Sequence, residues 1–230
     1  MLPALHHRRE DGRLLPLLGW ELSEPWTVCS TAPVGGGLGP RHWVLNAQVG
    51  AGYLRTDLAA HVGELAALAG LDVGWPGVGL LTAADVDDAV HAGDDGVAVT
   101  VTAGVRIPTW AAAPAGAPDA VTSGGRVTPG TINVVVWLPA AVTDAALVNL
   151  VATVAEAKAQ ALGELGVPGT GTATDAVVVA CPAGGDPRTA DPFGGPRSRW
   201  GGPVARAVHR GVTEGTRRSL ARIASEVAPG

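Results

Sequence analysis

Apolar residues along this chain alternate with polar ones in places, run unbroken in others, and elsewhere recur every three or four positions. These changes of period divide the chain into elements. WTVCSTAPV (26–34) predicts a strand entering a glycine turn, GGGLG, and RHWVLNAQV (41–49) predicts a second strand. TDLAAHVGELAALA (56–69) predicts a helix, with Thr56 placed to cap it and Leu58, Val62, Leu65 and Leu68 or Ala69 on one face. GVGLLTAA (77–84) and GVAVTVTAGV (96–105) predict two more strands, and residues 107–130, rich in Pro, Gly and Ala, predict a long loop or linker. TINVVVWLP (131–139) predicts a buried strand. TDAALVNLVATVAEAKAQALGELG (143–166) predicts the longest helix, with Thr143 as N-cap, Asp144 in its first turn and Gly166 as its stop. VPGTGTATD (167–175) predicts a loop that opens the strand AVVVACP. Residues 203–227 predict one or two amphipathic helices facing Val204, Ala207, Val208, Leu220, Ile223 and Val227 inward.

Strands that are apolar along their whole length need cover on both faces. The expected fold class is therefore α/β: a single layered domain of mixed β-sheet covered by helices over residues 25–230, preceded by an N-terminal extension, residues 1–24. Composition narrows the function. Hydrophobic residues make up 47% of the 230 and charged residues 16%, as in a globular chain. A formal net charge of −5 gives no basic footprint for nucleic acid, and no apolar run reaches the roughly 20 residues that span a bilayer. No signal peptide is evident at the N-terminus, so a soluble, cytoplasmic protein is expected. Cys29 and Cys181 lie far apart without metal-ligand spacing, and the histidines do not cluster, so neither a metal site nor a disulfide is expected. The abundance of apolar strands leaves room for a homo-oligomer.

One position stands out. Lys158 is the only lysine of the chain, and a helical wheel sets it within the apolar stripe Leu147, Val151, Val154, Leu162 and Leu165. Asn149, Thr153, Glu156, Gln160 and Glu164 fall on the opposite face. An ammonium among apolar groups must meet an anion, lose its proton or reach out along its own stem. Asp175, which opens the strand after this helix, is the candidate partner in a β-α-β order. Asn133, one of three asparagines, sits inside a strand, where its amide needs a hydrogen-bond partner or a substrate oxygen. The glycine turn with Gly36 and Gly37 lacks the strand-to-helix setting of a dinucleotide fold and reads as a close-approach loop shaping a pocket. The run G-T-G-T-A-T-D, with Thr170, Thr172 and Thr174, offers backbone N–H groups and hydroxyls to a ligand but is no P-loop.

Taken in order, STAPVGGGL…WVLNAQV, VGLLTAA, VTVTAGV, GTINVVVWLPAAVTDAALVNLVATVAEAKAQAL and GTGTATDAVVVA resemble the adenosylcobinamide amidohydrolases of corrinoid salvage, over roughly residues 25 to 215. The resemblance implies hydrolysis of the amide that joins a corrin propionyl arm to aminopropanol, with a corrinoid as substrate and no cofactor beyond the cobalt that arrives within it. By analogy, Asn46, Thr131, Asn133, Glu156, Lys158, Thr172, Thr174 and Asp175 line the site. In the roles expected here, Asp175 or Glu156 activates water or supports a nucleophile. Asn133 and the 169–174 backbone bind the oxyanion, and Lys158 tunes the carboxylate or protonates the leaving amine. The wheel favours Asp175 over Glu156; the motif does not separate them. The chain departs from the family's usual pattern at Ala155, where that pattern has threonine, and in GGPRSRWGG (194–202), where many members carry a histidine. A fainter likeness, Gly130-Thr131 heading a valine strand, is to self-cleaving β-aminopeptidases and acyltransferases; it implies an αββα layering and a Thr131 nucleophile. Two alternatives therefore stand beside the amidohydrolase, a non-catalytic corrinoid-binding protein and a self-processing Thr-nucleophile enzyme.

Overall fold

The computed structural model describes residues 1–50, 52–115, 130–184 and 190–227, with Val227 described by its backbone alone. The described elements are β1 (Ala4–Glu10), β2 (Arg13–Ser30), β3 (Gly37–Gln48), α1 (Leu58–Leu68), β4 (Gly77–Thr82), β5 (Val90–Asp94), β6 (Val97–Gly104), β7 (Thr131–Trp137), α2 (Asp144–Glu164), β8 (Ala176–Pro182) and α3 (Gly201–Val227). The strands form one eight-stranded mixed sheet in the order β4-β3-β2-β8-β7-β6-β5, with β1 on β2. The two parallel pairs, β3 with β4 and β7 with β8, are joined by the crossover helices α1 and α2. Tight Asp-Gly turns close two hairpins. Asp11 and Gly12 take φ of 49° and 73°, Asp95 and Gly96 take 46° and 83°, and positive φ at both central residues matches the twist of paired strands.

β2 explains how one sheet makes several layers. It keeps β3 along one edge but changes its partner on the other, from β1 over Arg13–Gly19 to β8 over Trp26–Ser30. The register slips between Glu21 and Trp26, where Pro25 supplies no N–H to a ladder. The sheet bends there, and its two ends come face to face. Val44, Val78 and Leu80 of one leaf pack with Val135, Trp137, Val178 and Ala180 of the other, and the Trp20 and Trp137 rings lie 6.1 Å apart. α1 covers the outer side of the first leaf through Val62, Leu65 and Ala66 on Trp43, Leu45 and Ala47. α2 and α3 cover the second, over Ile132, Val134, Val136, Val177 and Val179. The layer order is αββα, built from a single bent sheet.

All seven residues of β7 are buried, as cover on both faces requires. Several expectations change. No break falls between residues 24 and 25, because β2 runs through that point and Leu17, Leu18, Trp20 and Leu22 enter the core. β5 is a strand that periodicity passed over. α1 starts from Asp57, not from a Thr56 cap, and its Leu68 is exposed. α3 is one helix, and it leaves Leu220 exposed and Ile223 half-buried; the Val227 side chain lies outside the described residues. Of the expected 107–130 loop, residues 116–129 lie outside the described residues and 106–115 form turns and an isolated bridge. No described helix is long and apolar enough to cross a membrane.

Candidate active site

The starts of β7 and β8 are adjacent because the two strands are parallel, and polar side chains gather on both faces of the sheet at that end. On the α2 side, Lys158 Nζ donates to Asp175 Oδ2. The pair is nearly out of water, with 13% of the lysine side chain and 9% of the aspartate exposed, so the ammonium meets its anion instead of reaching to bulk solvent. The same carboxylate accepts from Thr172 N (3.0 Å), Ile132 N (2.8 Å) and Thr172 Oγ1. Each of its oxygens thus accepts two hydrogen bonds, which ties α2, β7 and the 171–175 loop to one group. Gly171 makes room for this: a Cβ there would stand 2.5 Å from Lys158 Nζ.

On the other face, between the leaves, Thr131 Oγ1 and Thr174 Oγ1 share a hydrogen bond of 3.0 Å, and Thr174 also donates to Gly130 O (3.3 Å). Asn133, two residues on and therefore on the same face as Thr131, is 1% exposed. Its Nδ2 donates to Asn46 Oδ1 (2.9 Å) and to Leu81 O (3.3 Å), and Asn46 Nδ2 donates to Thr102 Oγ1 (3.0 Å). The Asn133 Oδ1 acceptor is buried without a partner. An orphaned acceptor costs about 1–3 kcal/mol, and a donor brought by a ligand or water would relieve that cost.

The expected pairing of Lys158 with Asp175 is present; the Thr131–Thr174 and Asn133–Asn46 hydrogen bonds join residues that the resemblance placed together without pairing them. Thr170 serves the loop's outer edge, where its Oγ1 accepts from Ala111 N (3.1 Å). Glu156 is exposed on α2, and no hydrogen bond among the described residues joins it to Lys158 or Asp175. Gly36 and Gly37 shape a turn whose carbonyls are tethered by Arg41, Nη2 donating to Gly36 O at 3.1 Å, and Gly35 lies against Gly77 of β4; no hydrogen bond links these glycines to the Thr131 or Asp175 groups among the described residues. The wheel misplaced Thr153, which is buried and donates to Gly194 O (2.8 Å), because α2 is covered by α3 as well as by the sheet. Thr102 was missed. The signal for it was the period-two polar face of VTVT in β6, which faces Asn133 across the ladder. Among the described residues, no three His, Cys, Asp or Glu side chains converge as metal ligands.

The family profile described as adenosylcobinamide amidohydrolase matches residues 3–224, almost the entire length, and the chain belongs to that family. A Halobacterium salinarum protein named adenosylcobinamide amidohydrolase is 46% identical over 127 residues, 54% of this chain and 50% of that protein. A Methanosarcina mazei protein of the same name is 31% identical over 144 residues, 60% of this chain and 65% of that one. The chain thus spans half and just under two thirds of the lengths of these two relatives.

Proposed function

We propose that this protein hydrolyses the aminopropanol amide of adenosylcobinamide, releasing adenosylcobyric acid and the amino alcohol for corrinoid salvage. Family membership carries the reading, and the polar groups gathered at the starts of β7 and β8 support it. Amide hydrolysis needs a nucleophile, a site for the oxyanion and a proton for the leaving amine. In this reading the Thr131–Thr174 hydroxyl pair handles the attacking oxygen between the leaves. Asn133, fixed through Asn46 and Leu81 O, offers its free Oδ1 to the substrate amide N–H. In the 169–174 loop the Gly169, Thr170 and Thr172 N–H groups are engaged, so the remaining backbone N–H groups face the developing oxyanion. Lys158, held by Asp175 on the α2 side of the strand starts, gives its proton to the leaving amine and is recharged by the proton that the attacking oxygen loses through the Thr131–Thr174 hydroxyls; Asp175, with both oxygens saturated, is a positioning group and not the base. Glu156, out in solvent, has no part. Cobalt enters within the substrate, no cofactor of the protein's own is invoked, and no nucleic-acid or membrane partner is required.

The test is incubation with adenosylcobinamide followed by chromatography for adenosylcobyric acid, with kcat/KM for four variants. Thr131→Ala, Lys158→Met and Asp175→Asn are expected to lose roughly 100-fold or more, and Glu156→Gln less than about 3-fold. Wild-type turnover in all four overturns the assignment. A coloured complex without aminopropanol release would favour a binding protein, and two chains divided before Thr131 in an intact-mass spectrum would favour self-processing; the family supports neither alternative.

A further inference from the structure

Seven tryptophans in a chain with one tyrosine and one phenylalanine pose a question of use. Trp20, Trp43, Trp137 and Trp200 are buried and Trp26 is half-buried, so these rings serve the core. Trp75 and Trp110 are 56% and 57% exposed. An indole left in water forgoes the burial that normally makes the residue worth having, and aromatic side chains kept outside are the usual anchors of ligands and partners.

The two exposed rings differ in setting. Trp75 already has a partner: its ring stacks on His42 at 4.8 Å and 27°, and its carbonyl accepts from Trp43 Nε1 (2.9 Å). It precedes the start of β4, whereas Leu81, near the end of that strand, reaches Asn133. The β4 residues from Gly77 to Leu81, about 16 Å of extended chain, separate Trp75 from that contact. Trp110 instead sits on a segment stitched to the site loop. Thr109 N donates to Gly171 O (2.8 Å), Thr170 N donates to Thr109 O (2.9 Å), and Ala111 N donates to Thr170 Oγ1 (3.1 Å). Trp110 O accepts from Ala113 N (3.1 Å), which turns the backbone immediately after it. Gly169 permits the close approach, since a Cβ there would stand 2.8 Å from both Thr109 N and Thr109 O. Gly171 is thus shared: its carbonyl holds the Trp110 segment, and its bare Cα faces the Lys158–Asp175 pair.

We infer that Trp110 is the platform for the substrate's macrocycle, a specificity-determining residue that acts on binding while the Thr131, Asn133 and Lys158 groups act on the amide. The inference rests on the function proposed above. A corrin is a broad, largely apolar face carrying amide arms. An exposed indole whose neighbours Thr109 and Ala111 are bonded to the loop that carries Thr172 and Asp175 gives that face a surface to stack on. The arm then enters between the leaves. The loop's backbone is fixed from both sides by the bonds at Thr109 and Asp175, so the platform and the reacting groups keep one spacing.

The test compares Trp110→Ala, Trp110→Phe and Trp75→Ala with wild type, using adenosylcobinamide as the probe in steady-state kinetics and in calorimetric titration. Thermal melts monitor folding. For Trp110→Ala the expected result is KM and Kd raised about 10- to 100-fold by loss of the stacked area, with kcat within about 3-fold of wild type. Trp110→Phe is expected to recover most of that loss, and Trp75→Ala to change neither constant. Unchanged KM and Kd in Trp110→Ala, or an equal rise in Trp75→Ala, overturns the inference. A fall in kcat at unchanged KM overturns it too, because the ring would then be positioning the loop. If wild type itself neither binds nor cleaves adenosylcobinamide, the functional reading fails first. If wild type turns over and Trp110→Ala matches it, only the platform falls.

Discussion

Removing the Lys158 ammonium tests the centre of the site most directly, because the groups it leaves behind can be counted. In Lys158→Met the Asp175 carboxylate keeps the Thr172 and Ile132 donors but loses its only counter-charge among the described residues, while 9% of its side chain stays exposed. Taking one partner from a buried ion pair costs about 3–5 kcal/mol, because the survivor is an uncompensated charge. With roughly 2–4 °C per kcal/mol for a chain of this size, Tm is expected to fall by about 6–20 °C. Asp175→Asn strands the lysine and turns an amide N–H₂ towards two of the four donors that Asp175 accepts, so a loss of similar size is expected. The double variant Lys158→Met/Asp175→Asn leaves no net charge behind and is expected to be less damaged than the sum of the singles, a coupling of more than about 1 kcal/mol. Urea unfolding at pH 7.5 gives all four free energies, and unchanged m-values would confirm that the change lies in stability. If Lys158→Met stays within about 1 kcal/mol of wild type, or the two losses simply add, the pair is not the buried tie between α2 and β8 described above, and Lys158 is not poised to act on a leaving group.

Three further outcomes are expected from the same geometry. Gly171→Ala sets a methyl group 2.5 Å from Lys158 Nζ, so overpacking is expected to cost about 1–3 kcal/mol and to lower kcat/KM, read from thermal melts and product release; normal values in both would mean the loop is not packed against the pair. Asn133→Ala strands Asn46 Oδ1 and Leu81 O, at about 1–3 kcal/mol for each acceptor, and is expected to abolish turnover; Asn133→Leu, which refills the volume but supplies no donor, should recover only the packing part of the loss and none of the activity. His61 is buried, with Tyr53 Oη on its Nδ1 at 2.8 Å; desolvation first, then Arg55 and Arg8, hold its pKa below the usual value against the opposing pull of Glu10 and Glu64. The unfolded chain therefore binds the extra proton as pH falls through about 6.5, so stability present at pH 7.5 is lost towards pH 5.5, and His61→Gln should shrink that drop in urea midpoint, with His91, also lowered by burial, supplying the remainder.

Much of this arrangement is written locally, and the elements that escaped a reading of periodicity did so for identifiable reasons. The β7-α2-β8 unit was legible because its strands are uniformly apolar and its helix carries a real cap: Thr143 accepts from Ala146 N at 3.2 Å, and Gly166 ends the last turn with a φ of 70°. The partnership of Lys158 with Asp175 comes from that same unit, since a parallel crossover returns the chain beside the strand it left. β1 and the first half of β2 were passed over because charges and Pro16 interrupt their apolar runs. Yet the Asp11-Gly12 and Asp95-Gly96 pairs were hairpin signals in plain view, and each closes a strand pair that periodicity alone did not find. The bend in β2 was beyond a one-dimensional reading, because its effect is to bring together residues as distant in sequence as Asn46 and Asn133.

That bend also explains why polar residues could be set into an apolar sheet. Asn133 in a flat sheet under a helix would have faced only hydrocarbon. In the folded-over sheet it faces Asn46 and the Leu81 carbonyl across the leaf junction, and two of its three hydrogen-bonding needs are met by elements far off in sequence. The third, at Oδ1, is left open. A buried amide satisfied twice and left open once costs stability until a donor arrives, and in the proposed reading that donor is the substrate amide N–H.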